Sequence, residues 1–125
     1  MDVLREEVQE FQERWNSMVL DITEDLKITC DEARAVRKWL TTERRAYAVL
    51  KRKINLEMRS VRARYDLRLK TLDDRRAVRE MRLDMAKIVH PYKTLLLAVD
   101  ELLLKADEMA LRTERLIEQC QERQE

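Results

Sequence analysis

The chain has 125 residues, 41% of them charged and 45% hydrophobic, with no glycine, one proline and a formal net charge of +1, a composition typical of long helices or coiled coil. Without glycine there is no phosphate-cradling loop of the P-loop or GxGxxG kind, because both need backbone conformations that glycine alone adopts cheaply, so the usual nucleotide-hydrolysing enzymes are excluded. The longest uninterrupted apolar run, Leu95 to Val99, is five residues, far below the roughly 20 that span a bilayer, so no membrane association is expected.

The opening stretch, MDVLREEVQEF, is acidic and lacks the apolar run of a signal peptide. Leu4, Val8, Phe11, Trp15, Met18 and Ile22 follow at spacings of 4, 3, 4, 3 and 4, which predicts a helix over residues 2–27 that buries one face. In "TCDE", Thr29 stands three residues before Glu32, the capping-box pattern that starts a second helix. That helix is expected over residues 31–71.

Within it, Val36, Tyr47, Met58 and Leu69 recur every eleven residues, as do Trp39, Leu50, Val61 and Leu72, with Ile54 and Tyr65 as a third pair. An eleven-residue repeat predicts a straight or slightly right-handed helix. Val49, Leu56, Ala63 and Leu67 make a weaker apolar stripe on the opposite face, so the helix needs cover on two sides. The chain itself could supply one cover and a neighbouring subunit the other.

"TLDDRR" is a polar break with Asp73 or Asp74 as N-cap. From Val78 an apolar register runs through Met81, Met85, Ile88, Tyr92, Leu95, Val99, Leu102, Ala106, Met109, Leu116 and Cys120, interrupted only by Thr113. Pro91 lies inside it, and proline in mid-helix removes a hydrogen bond and costs about 3 kcal/mol. Helices over 74–89 and 91–122 are therefore expected, joined by a kink or a tight restart. Leu96, Leu97, Leu103, Leu104, Leu111 and Ile117 widen the apolar arc beyond what a small monomer covers. Self-association through this helix is the simplest resolution. The fold class is thus all-α, a single domain over residues 1–125 of three to four long helices, oligomeric through the C-terminal helix.

Cys30 and Cys120 have no CxxC partner and only His90 as a nitrogen neighbour in composition, so no metal is expected, and the pair is read as two reduced, semi-buried thiols of a cytosolic protein. His90 has no nucleophile or paired carboxylate pattern to work with. No catalytic residue and no cofactor are expected, and the chain is read as a non-enzyme.

Residues 31–70 carry 13 basic and 5 acidic groups, whereas residues 1–30 carry 3 and 8 and residues 90–125 carry 5 and 8. Arg34, Arg45, Arg52, Arg59 and Lys70 fall within about 40° on a helical wheel. Such a row suits nucleic-acid phosphates, because each contact releases counterions and arginine can engage two oxygens at once. Arg45, Lys51, Arg52, Lys53, Arg59, Arg62, Arg64 and Tyr65 are the candidate nucleic-acid-binding residues, with Tyr65 placed to stack on an unpaired base. Equal weight goes to a second reading, a coiled-coil scaffold or adaptor in which the row pairs with acidic helices of its own chain or of a protein partner.

At "RKWLTTERRAYAVLKRKINLEMRSVRARYDL" the chain resembles the small phage recombination mediators of the UvsY type. The resemblance lies in Lys38, Trp39 and Leu40 opening the long basic helix, in Arg62, Ala63, Arg64 and Tyr65 toward its end, and in an apolar helix downstream. It departs in the short, glycine-free "KTLDDRR" connection, where the family can carry a longer stretch. The resemblance implies a homo-oligomer that binds single-stranded DNA, helps displace a single-strand-binding protein and loads a RecA-like recombinase. It assigns DNA contact to Arg62 and Arg64, and it places the protein in the cytoplasm of a bacterium or of a phage-infected host.

Overall fold

The computed structural model describes residues 1–24 and 29–124, and they form three helices: α1 (Asp2–Glu24), α2 (Cys30–Leu69) and α3 (Arg75–Gln124). The fold is all-α, with no strand among the described residues. The expected end of the first helix at residue 27 lies outside the described residues. At 1.5 Å per residue α2 is about 60 Å long and α3 about 75 Å.

Local chemistry sets the helix starts. Thr29 is extended and its Oγ1 accepts from the Glu32 backbone N–H at 3.2 Å, which caps α2. Asp74 does the same for α3, its Oδ1 accepting from the Arg76 N–H at 3.1 Å. Between them, the Lys70 N–H donates to the Asp66 carbonyl and the Thr71 N–H to the Arg68 carbonyl, and the chain reverses within five residues.

α2 and α3 form a long antiparallel hairpin. Lys51 meets Asp100 at 2.7 Å, Arg44 meets Asp107, and Cys30 at the start of α2 is bonded to Cys120 near the end of α3. α1 runs antiparallel to α2 in the groove of this hairpin, with Phe11 on Tyr47, Trp15 beside Trp39, and the Met1 ammonium 3.6 Å from Glu57. The core joins Leu4, Val8 and Trp15 of α1 to Leu40, Tyr47, Leu50, Ile54 and Met58 of α2 and to Val89, Tyr92, Leu95, Val99, Leu102 and Ala106 of α3. Each fully buried side chain of this kind stabilises the fold by about 1.5–3 kcal/mol.

Two expectations are corrected, at the cysteines and at Ile88, and of the kink or restart expected at Pro91 the restart is set aside. Cys30 and Cys120 are not separate thiols but a disulfide with Cα atoms 6.0 Å apart, because the antiparallel hairpin returns residue 120 to the level of residue 30. Pro91 neither ends a helix nor separates two: α3 runs through it unbroken. The missing N–H leaves the Lys87 carbonyl without its partner one turn on, and burial of Val89, Tyr92 and Leu95 around it holds the helix in place. Ile88 is exposed and Val89 is buried instead, since α1 begins beside Glu57, short of this level, and only α2 remains to pack against.

Candidate nucleic-acid interface

Because α1 begins beside Glu57, the hairpin beyond that point is two helices thick. This uncovered end is where positive charge collects. Residues 58–90 hold ten Lys or Arg against five Asp or Glu, whereas the rest of the chain holds 16 against 20. The basic helix read along the sequence is thus, in three dimensions, a basic tip on an acidic bundle, with Arg75, Arg76, Arg79, Arg82 and Lys87 of α3 joining the arginines of α2.

The candidate residues divide by their position around α2. Lys51 and Lys53 lie on its flanks and pair within the chain, Lys51 with Asp100 at 2.7 Å and Lys53 with Glu7 at 3.7 Å. Arg44, on the same flank as Lys51, pairs with Asp107. Arg45, Arg52 and Arg59 recur every seven residues on the face opposite Ile54 and Leu50, all three exposed, and among the described residues none is in an ion pair. Two turns separate successive members, about 10.5 Å. Exposed Val49 and Leu56 lie beside them.

Arg62 continues this row toward α3. It is half-buried in a cleft of about 300 Å³ between the helices, with His90 and Lys93 as the other polar walls and Met85, Ala86 and Val89 as an apolar floor. Arg64 does not join it. Residues two apart on a helix point about 200° apart, and Arg64 stands on the other flank, near Tyr92 and Glu57. Burial, and then the Glu57 carboxylate, push the Tyr92 hydroxyl up from its ordinary value, while Arg64 opposes them. Arg62 and Arg64 therefore cannot grip one strand from a single face of α2. Tyr65 is half-buried, and the Arg68 guanidinium lies 6.0 Å from its ring centroid, so its own chain covers part of the face expected to stack.

His90 and Lys93 went unnoticed as candidates because nothing local marks them; only the hairpin register sets them beside Arg62. A second shallow hollow, lined by Asp73, Arg75, Val78, Arg79, Arg82 and Leu83, opens on α3 near the tip.

Of the expected self-association residues, Leu97, Leu104 and Leu111 are exposed. Leu96 and Leu103 are half-buried against the core, and Ile117 is buried within its own chain. No described helix is long and apolar enough to cross a membrane. No family model, curated protein or solved structure matches the chain.

Proposed function

We propose that the protein binds single-stranded DNA without catalysing a reaction, and acts as a homo-oligomeric mediator that loads a RecA-like recombinase on strands held by a single-strand-binding protein. The observation that carries this reading is the outward row Arg45, Arg52 and Arg59 running into the Arg62–His90–Lys93 cleft. Side chains that laced the fold together would point at acids of α1 or α3, as Lys51 and Lys53 do and as Arg45 does in part, beside Glu7 and Glu10. Guanidinium groups aimed at solvent along one track instead suit a flexible polyanion, with affinity dominated by phosphate contacts and falling steeply with salt. The apolar cleft floor would add stacking or hydrophobic contact with bases.

The rival is a coiled-coil scaffold. The three interhelix pairs of Arg44, Lys51 and Lys53 favour it for the flanks of α2. The two readings separate in one experiment. In anisotropy titrations of a labelled oligonucleotide, Arg59→Glu with Arg62→Glu should lower affinity at least tenfold and flatten the salt dependence, with circular dichroism unchanged. Wild-type protein that ignores single strands at low salt would sink the mediator reading.

Work beside a recombinase implies the cytoplasm, a reducing compartment in which disulfides are uncommon. The reading therefore requires that binding persist when the Cys30–Cys120 bond is reduced.

A further inference from the structure

α3 carries a second apolar row that its own chain leaves uncovered. Leu83, Leu97, Leu104 and Leu111 stand at multiples of seven residues and are 57–70% exposed. At 100° per residue they share an arc of about 80° on the side opposite buried Val99 and Ala106. α1 and α2 both pack on that buried side. A seven-residue row that faces away from the core makes a narrow apolar ridge, one leucine per two turns, flanked by the charged Asp100, Glu101, Asp107 and Glu108.

Across Leu97 the row matches at its ends only. Leu111 lies as far to one side as Leu83 to the other, whereas the counterpart of Leu104 is His90, a wall of the Arg62 cleft, so a partner here would border that cleft. Charge has the opposite symmetry. Residues 75–93 hold six Lys or Arg and two acids, whereas their counterparts across Leu97, residues 101–119, hold three and five. A parallel partner would set the basic half on the basic half. An antiparallel partner sets basic on acidic at both ends and stacks Leu97 on Leu97 and Leu83 on Leu111.

We propose that a second copy of this chain covers the row, pairing α3 with α3 antiparallel about a two-fold axis at Leu97. Such an interface is closed and self-complementary. The leucines supply the attraction, and the charge halves choose the direction, since like charges set against each other disfavour the alternative. The pairing deepens the homo-oligomeric part of the function proposed above and needs no nucleic acid.

Light scattering of the full chain, with the disulfide intact, should give twice the 15.1 kDa of one chain. Leu97→Glu with Leu104→Glu should return the mass to one chain at unchanged helicity. Spin labels at Leu97→Cys should lie close together across the axis. Labels at Leu111→Cys should lie roughly 42 Å apart, from 28 residues at 1.5 Å each. A monomeric wild type, a double-Glu variant that still dimerises, or labels in contact at position 111 would each overturn the proposal. A dimer without DNA affinity would uphold it while removing the mediator reading.

Discussion

Glu43 and Tyr47, one turn apart on α2, put polar atoms in the core, as does Thr113 of α3, whose Oγ1 donates to the Met109 carbonyl. Glu43 is 5% exposed and takes the Arg14 guanidinium on Oε1 at 2.8 Å, while Arg14 also lies 4.4 Å over the Phe11 ring. Neither Glu43 Oε2 nor the Tyr47 hydroxyl has a hydrogen-bond partner among the described residues. Burial, reinforced by the Glu43 carboxylate and opposed by Arg14, pushes the Tyr47 hydroxyl well above its ordinary value of 10.0. A phenol whose folded-state value is raised keeps its contribution below the unfolded value and loses stability as pH rises beyond it. Unfolding free energy should therefore fall above about pH 10, and Tyr47→Phe should remove much of that fall. Denaturant midpoints from pH 8 to 11 test this, and identical slopes for the two proteins would refute it. Glu43 was legible in one respect: it occupies an apolar phase of α2, between Leu40 and Tyr47. That it is buried, and that Arg14 neutralises it, depends on where α1 lies.

The three helices show how far periodicity reaches. Spacings of 3 and 4 marked the buried stripe of α1 and, except at Ile88, of α3, an eleven-residue repeat marked that of α2, and capping residues marked two starts, because all are properties of residue type and spacing along one helix. Pro91 shows the limit. Its local cost is real, and whether the helix bends, breaks or continues is decided by packing on both sides of it. Here Val89, Tyr92 and Leu95 bury on one continuous surface, so the helix does not break. Pro91→Ala should restore the hydrogen bond to the Lys87 carbonyl and raise stability by about 1–3 kcal/mol. A lower or unchanged melting temperature would mean that the proline is structurally adapted to its site.

At the scale of the molecule, the disulfide ties the open end of the hairpin 90 residues apart in sequence. A cross-link closing so long a loop removes much unfolded-state entropy, up to about 4 kcal/mol. Cys30→Ser should lower the denaturant midpoint accordingly, and reductant should bring the wild type down to the same value; equal midpoints before and after reduction would contradict this. The tip at the other end has neither α1 nor the cross-link, and the positive charge of the chain gathers there. The sequence by itself determined the helical class, the buried faces, the two caps and the excess of positive charge in residues 31–70, since each follows from residue type and spacing along one helix. Only the tertiary structure decided that Cys30 meets Cys120, that Lys51 and Lys53 pair within the fold while Arg45, Arg52 and Arg59 face outward, and that Arg62 shares a cleft with His90 and Lys93. Those outcomes depend on the register between helices, which is set by side chains meeting across tens of residues and is invisible to any local pattern.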